Sequence, residues 1–201
     1  IRCMLDSKVL RKCADECGVN LKTSFRWRHR FLQLPSVLKA TKLEGIIEAD
    51  ETLFPHSEKG SKTLTRPPLK RGMKAKKRGR SKEDWVPVLT VRDRGKNTYE
   101  AVLQSVTTDA LHQELTGKLE KDSVLCSDGY KPYIALSAKN DLIHKRLDVA
   151  GGVKVIDKVF HIQNVNAYHS RLKAWIRRFH GVATKYLEHY LPSFYLQLLK
   201  P

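Results

Sequence analysis

The chain has 201 residues, with 38 Lys and Arg against 21 Asp and Glu, which gives a formal net charge of +17 at pH 7. This balance is too basic for an ordinary metabolic enzyme and favours nucleic acid or an anionic membrane surface as the partner. The membrane is the weaker alternative, because no apolar run approaches the ~18 residues that span a bilayer and no signal peptide opens the chain. The 41% of apolar residues supports a packed core in one large or two small domains. The four cysteines are too few and too irregular for a disulfide framework, which favours the cytoplasm as the location.

The N-terminal segment, to about residue 34, is predicted to be helical. Ser7 is placed to cap a helix that runs to Cys17, Gly18 interrupts the pattern, and Asn20 is placed to cap a second helix. Two short helices joined by a glycine turn have the outline of a helix-turn-helix. Residues 1–40 are therefore predicted to be a DNA-binding region.

The second helix has a basic side that suits DNA recognition. An apolar stripe of Leu21, Phe25 and Leu32 leaves four other side chains able to face outward, namely Lys22, Thr23, Arg26 and Arg28. The alternative is a small helical subdomain or dimerisation arm with a solvated basic face.

A strongly basic segment follows the first predicted strand. Between Lys59 and Lys82 there are eleven Lys and Arg and no acidic residue. Such a segment cannot bury enough apolar surface to fold alone, so residues 57–83 are predicted to be a flexible insertion that contacts DNA phosphates. A merely solvated loop is the alternative. The candidate contacts are Lys74, Lys76, Lys77, Arg78 and Arg80.

The remaining pattern predicts an α/β fold over residues 41–201. Strands are expected at 45–53, 85–92, 98–104, 123–127 and 143–147, and helices at 107–119, 131–139, 165–179 and 184–191. Thr107 or Thr108 is expected to cap the first of these helices. The second and third strands form a hairpin, and a proline at 192 is expected to end the last helix. Three strands, helix, strand, helix, strand, helix is the order of an RNase H-like fold, a mixed sheet flanked by helices.

Two aspartates in this pattern are candidate metal ligands. Asp50 lies in the first strand, and Asp128 directly follows the fourth. Because strand side chains alternate, Glu48 shares the side of Asp50 and Glu51 faces away. Carboxylates on neighbouring parallel strands could share Mg²⁺, which prefers hard oxygen ligands and supports two-metal phosphodiester chemistry. The alternative is an isolated aspartate that stabilises a turn.

The predicted helix at 165–179 carries a second group of candidates. Its core stripe is Val165, Tyr168, Leu172, Ile176 and Phe179, and a separate polar stripe contains Asn166, Ser170, Lys173 and Arg177. The polar stripe can face the aspartates, or it can be the solvated side of an amphipathic helix.

The chain resembles bacterial insertion-sequence transposases of the RNase H-like DDE superfamily, in the subgroup with Asn and Lys in place of the final Glu. The resemblance covers nearly the whole chain and is carried by GVNLKTSFRWRHRFL, EADET, SDGYKPY and, most specifically, HIQNVNAYHSRLKAWIRRFHGVATKYLEHYL. It implies that Asp50, Asp128 and Asn166 coordinate Mg²⁺, for which Mn²⁺ can substitute, and that Lys173 assists them. It also implies cleavage at terminal inverted repeats and joining of the freed 3′-OH to target DNA, by a homo-oligomer assembled on double-stranded DNA.

Two departures from that pattern leave an alternative open. The third ligand is Asn rather than Glu, and the zinc ribbon that often precedes the helix-turn-helix is not visible. The chain begins with Ile, which is expected of a fragment. A truncated, inactive DNA-binding remnant or regulator is therefore the competing hypothesis. A simple RNase H-like nuclease would leave the helix-turn-helix unexplained.

We expect the basic insertion to contribute to the salt dependence of DNA binding. Each neutralised phosphate contributes a slope of about −0.9 to a plot of log affinity against log salt on duplex DNA. Alanine at Lys74, Lys76, Lys77 and Arg78 together should flatten that slope, as measured by fluorescence anisotropy over a salt series. An unchanged slope would mean that the insertion is only solvated.

Overall fold

The structure is a computed structural model that describes residues 2–33, 40–67 and 84–198. Within those ranges the strands are β1 (Ile46–Pro55), β2 (Trp85–Asp93), β3 (Thr98–Val102), β4 (Val124–Ser127) and β5 (Ile143–Arg146). The helices are α1 (Arg2–Leu5), α2 (Leu10–Glu16), α3 (Leu21–Gln33), α4 (Thr108–Leu115), α5 (Lys131–Lys139), α6 (Gln163–Arg177) and α7 (Thr184–Leu198).

Strand β1 is the middle strand of a five-stranded sheet with the order β3-β2-β1-β4-β5. It pairs in parallel with β4, which pairs in parallel with β5, whereas β2 and β3 form an antiparallel hairpin. The register places Ile47 opposite Leu125 and Leu125 opposite His144. The prediction of an α/β fold with an RNase H-like mixed sheet flanked by helices is confirmed.

The two faces of β1 have different surroundings. Ile47 and Ala49 lie in the main core with Leu111 of α4 and Leu136 of α5. Ile46 belongs instead to a second apolar cluster built around Cys126, Leu147, Ile162 and Val165. Because side chains alternate along a strand, Glu48 and Asp50 are on the side of this second cluster, where α6 begins.

Several local predictions are confirmed by the structure. The Thr107 side chain accepts a hydrogen bond from the Ala110 backbone N–H and so caps α4. Asn20 Oδ1 likewise accepts from the Thr23 backbone N–H over 2.8 Å at the start of α3. The predicted core stripe of α6 is buried throughout, at Val165, Tyr168, Leu172, Ile176 and Phe179.

Several helix ends differ from prediction; α4, for example, ends at Leu115 rather than at residue 119. Helix α2 begins at Leu10 after an N-cap residue, Val9, that makes no side-chain capping bond, while Ser7 adopts a φ of +57° in the turn after α1. Helix α7 continues through Pro192, although a proline inside a helix removes one backbone hydrogen bond. Pro192 and its neighbours Leu191 and Phe194 are all buried, so tertiary packing outweighs the local preference to end there.

The chain forms two compact units. A helical unit comprises the described residues within 1–36, 53–86 and 174–201, and a sheet unit comprises those within 37–52 and 87–173. This grouping is by contacts, so the functional division into residues 1–40 and 41–201 stays a prediction.

The prediction that Arg28 faces outward is wrong. The buried face of α3 is Ser24, Arg28 and Leu32, spaced four residues apart, and Arg28 is only 4% exposed. Its Nη2 atom donates to the carbonyl oxygen of Lys8, and its guanidinium stacks over the Phe179 ring, 5.3 Å from the centroid. Arg28 therefore stabilises the helical unit from within and is not available to DNA.

The other side of α3 keeps the predicted polar character. Lys22 and Arg26 are exposed, and Thr23 is half-buried. Leu21, predicted to be part of the apolar stripe, is 46% exposed. It is the first residue of α3, so it lies at the end of the helix, beyond the buried residues of the packed face.

We expect Arg28→Ala to destabilise the protein by roughly 1.5–3 kcal/mol, because it removes a charge-assisted hydrogen bond from a buried site. Arg26→Ala is the matched control, since it removes the same side chain from the exposed face of the same helix and should change stability by less than about 0.5 kcal/mol. Urea unfolding followed by circular dichroism measures both. Equal midpoints for the two variants would contradict the structural role of Arg28.

Candidate active site

Strand β1 brings two carboxylates to the α6 side of the sheet. Asp50 is half-buried, and its Oδ2 atom lies 3.7 Å from Nδ1 of His169 on α6. Glu48, two residues earlier, accepts hydrogen bonds from the first turn of the same helix. Glu51 points to the opposite face, where the Tyr133 hydroxyl of α5 donates to its Oε2 over 3.0 Å. The predicted alternation of these three side chains is confirmed.

Asp50 and Asp128 occupy equivalent positions relative to the paired residues of β1 and β4. Glu48 is paired with Cys126 across the two parallel strands, and Asp50 and Asp128 each follow by two residues. The observed register ends at the pair of Glu48 and Cys126, after which Asp50 continues β1 and Asp128 directly follows β4. Neighbouring strands lie about 4.8 Å apart in a sheet, so the backbones at the two aspartates are close. Asp50 is on the α6 side, where it meets His169.

The loop after β4 turns sharply around Asp128. Asp128 Oδ1 accepts a hydrogen bond from the Tyr130 backbone N–H over 3.0 Å. Gly129 between them has a φ of +78°, and a β-carbon there would lie 2.6 Å from the Arg146 side chain. Glycine therefore suits the backbone conformation, and a larger residue would also require the Arg146 side chain to move. The turn holds Asp128 half-buried at the end of its strand.

The electrostatics of Tyr133 connect the acidic side chains. Burial, followed by the negative charges of Glu51 and Asp50, raises the pKa of Tyr133 well above its usual value, and Asp128 adds to the effect. The phenol therefore remains a neutral hydrogen-bond donor. Both aspartates therefore lie close enough to Tyr133 for their charges to act on its hydroxyl.

Helix α6 places His169 and Lys173 on the other side of Asp50. His169 is 6% exposed, and burial, together with the positive charge of Lys173, lowers its pKa to about 4. The imidazole is therefore neutral at pH 7 and does not neutralise Asp50. Lys173 itself is exposed one turn further along the helix.

Asn166 lies in the first part of α6, directly after Val165. Its side chain is exposed, like those of Ser170, Lys173 and Arg177, so the predicted polar stripe exists as one accessible side of the helix. Its backbone N–H donates to the Ile162 carbonyl oxygen, which fixes it within the helical turn.

The predicted DNA contacts fall into separate regions. Lys22, Thr23 and Arg26 lie on α3, and Arg177 is the last residue of α6. The basic insertion residues lie outside the described part of the chain, namely Lys74, Lys76, Lys77, Arg78 and Arg80.

The sequence prediction assigned no chemical role to two groups near Asp50, His169 and Glu48. His169 is the closer of them, and its spacing of three residues from Asn166 was the only available signal. Glu48 was expected to share the side of Asp50, but its contacts with α6 depend on helix packing that no local pattern encodes.

The donor chemistry suits a hard cation. Within residues 2–33, 40–67 and 84–198 there is no group of three or more His, Cys, Asp or Glu arranged to hold a metal ion. Only two of the predicted ligands, Asp50 and Asp128, belong to those four residue types. The third is the amide oxygen of Asn166. Half-buried and exposed oxygen donors of this kind match the preference of Mg²⁺ for oxygen ligands and retained water.

Among the helices that the structure describes, none is both long and apolar enough to cross a bilayer.

Comparison with known proteins agrees with this architecture. The family model described as the ISXO2-like transposase domain matches residues 42–196. The chain is also 27% identical over 191 residues to a Halobacterium salinarum protein described as an uncharacterized protein in transposable element ISH50. That alignment covers 94% of this chain and 63% of the relative, so the chain spans less than two thirds of the relative's length.

Proposed function

Because the chain belongs to the ISXO2-like transposase family, we propose that it is a metal-dependent DNA transposase that cleaves and joins strands at the ends of an insertion sequence. The observation that carries the proposal is the parallel register of β1 and β4, because Asp50 and Asp128 each follow the paired Glu48 and Cys126 by two residues. Acidic side chains at that position within a chain of net charge +17 suit a protein that holds a polyanion while acting on it.

In this proposal Asp50, Asp128 and Asn166 hold Mg²⁺, and Mn²⁺ can substitute. The metal would supply Lewis-acid stabilisation of the attacking and leaving oxygens of the phosphodiester. Asn166 is a neutral ligand, so the set carries one negative charge fewer than three carboxylates and should bind the metal more weakly. The neutral state of His169 supports the role of Asp50, because a protonated imidazole would compete with the cation for that carboxylate.

Lys173 is proposed to act on the phosphate itself. Its ammonium group is exposed, and its charge reaches His169, whose ring lies 3.7 Å from Asp50. A fixed positive charge at this place would stabilise the negative charge that develops on the phosphate during transfer. The side chain is held by a helix rather than by a loop, which favours preorganisation.

DNA binding follows from the family, and the contacts proposed for it are of two kinds. Lys22, Thr23 and Arg26 would use α3 as the recognition helix of a helix-turn-helix, and Arg177 would extend the basic side of α6. The basic insertion would contact phosphates without reading sequence. The partners would be terminal inverted repeats and target DNA in the cytoplasm, bound by a homo-oligomer.

An inactive DNA-binding remnant is the second candidate function. It is favoured by the neutral Asn166 in the predicted ligand set. Strand cleavage distinguishes the two candidates, since only the transposase would cut labelled repeat-end DNA with Mg²⁺ or Mn²⁺.

We expect Asp50→Ala and Asp128→Ala to abolish strand cleavage and to leave DNA affinity almost unchanged. Metal ligands serve the chemistry, whereas lysine and arginine contacts with phosphates supply most of the affinity. Cleavage of labelled repeat-end DNA and anisotropy of the same DNA measure the two properties. Asp109→Ala, which removes an exposed carboxylate from the first turn of α4, is the control and should cut normally. Parental cleavage by either active-site variant would refute the assignment.

We expect Lys173→Ala to fold normally, to bind the same DNA and to cut at least ~100-fold more slowly, because preorganised electrostatic groups contribute about 2.7–4 kcal/mol to such transition states. Arg171→Ala is the matched control, since Arg171 is also an exposed cation on α6, only two residues away. Single-turnover cleavage rates compare them. If both variants lose the same small factor, Lys173 contributes only general positive charge.

A further inference from the structure

Glu48 is the most heavily hydrogen-bonded buried carboxylate near Asp50, and the proposed chemistry does not use it. Its side chain is 1% exposed. The Oε2 atom accepts hydrogen bonds from the backbone N–H groups of Asn164 over 2.9 Å and Val165 over 3.0 Å. The Oε1 atom accepts from Asn164 Nδ2 over 2.8 Å and lies 3.2 Å from Nη1 of Arg94. His161 Nδ1 is 3.4 Å from the same oxygen.

These contacts make Glu48 a cap for α6 that comes from another element of the fold. The first N–H groups of a helix have no partner within the helix, and the N-terminus carries partial positive charge. A carboxylate beside the N-terminus is stabilised both by these N–H donors and by the partial charge. Arg94 adds a full positive charge from the turn after β2. Without these partners a carboxylate buried to this degree would be strongly unfavourable.

The strand and the helix are matched in spacing along their common contact. Glu48 and Asp50 are two strand residues apart, about 6.6 Å at the usual rise. Val165 and His169 are four helical residues apart, about 6 Å at the usual rise. Glu48 contacts Val165, and Asp50 contacts His169. The contact of Glu48 with the first turn therefore fixes the position of α6 along β1. It thereby also fixes the positions of Asn166 and Lys173 along the strand relative to Asp50.

We propose that Glu48 is a positioning residue, which anchors the first turn of α6 so that Asn166 and Lys173 are aligned with Asp50. The inference rests on the proposed metal-dependent transfer reaction and adds the group that sets its geometry. Glutamine cannot replace Glu48 fully, since both carboxylate oxygens accept hydrogen bonds and an amide has only one accepting oxygen.

Glu48→Gln and Glu51→Gln in the full chain test this role. Both exchange a buried carboxylate of β1 for an amide, but Glu51 faces Tyr133 on the other side of the sheet. Amide hydrogen exchange by mass spectrometry reports the first turn of α6. Electron paramagnetic resonance of free Mn²⁺ reports metal affinity without DNA. Asp50→Ala is included as the reference for loss of the metal site.

The expected result is that Glu48→Gln speeds amide exchange at Asn164 and Val165 by about 10- to 100-fold, the scale of one lost charged hydrogen bond. Mn²⁺ affinity should fall by about 10- to 100-fold, as for other groups that orient metal ligands. Glu51→Gln should change neither property in this way, even if it lowers the unfolding midpoint equally. Asn164→Ala, which deletes one donor only, should shift both properties in the same direction as Glu48→Gln but less, and it replaces Glu48→Gln if that variant does not fold.

Three results would overturn the inference. Unchanged exchange in Glu48→Gln would show that the carboxylate does not anchor α6. Faster exchange with parental Mn²⁺ affinity would show that the anchor does not position the site. Equal effects of Glu51→Gln on both properties would indicate general destabilisation. If Asp50→Ala binds Mn²⁺ like the parent, the metal site proposed above is wrong as well, and this distinguishes failure of the function from failure of the Glu48 role alone.

Discussion

The middle strand of the sheet is covered on both faces, and this constraint organises the sheet unit. Along β1, Ile47 and Ala49 fill the main core, while Glu48 and Glu51 are acidic side chains that the same burial deprives of water. Each must find partners in the packed elements. Glu51 finds the Tyr133 hydroxyl on α5, and Glu48 finds the first turn of α6 with Arg94. The need to satisfy these carboxylates fixes the two helices against the strand, and Asp50, between them, is left half-buried at the side of α6.

The charges around Asp50 suit the reaction that we propose. Neutral His169 borders the aspartate without neutralising it, and Lys173 adds positive charge one turn away. The neutral Asn166 reduces the total negative charge of the proposed ligand set, which would weaken metal binding and would also ease the approach of a phosphate. This balance differs from a site of three carboxylates and makes the alignment of α6 more important, because fewer charges hold the metal in place.

The helical unit shows how a basic chain uses part of its charge internally. Arg28 is on the buried face of α3. Its guanidinium donates a hydrogen bond to the Lys8 carbonyl oxygen and stacks over the Phe179 ring. Net charge therefore overstates the positive surface that is available to DNA. The exposed Lys22 and Arg26 remain as the accessible contribution of α3.

Local sequence pattern was sufficient for most elements and for the ligand candidates. The hairpin, the Asn20 and Thr107 caps, the core stripe of α6 and the alternation of Glu48, Asp50 and Glu51 all follow from residue spacing and short-range hydrogen bonds. Spacing failed where packing outweighs local preference, as at Pro192 inside α7 and at Arg28 on the buried face of α3. The β1–β4 register and the bonds from Glu48 to α6 join residues 78 to 117 positions apart, beyond the reach of any local pattern. Sequence alone therefore determined which side chains could form the site, and only tertiary structure decided which of them meet, because such contacts depend on the packing of helix against sheet.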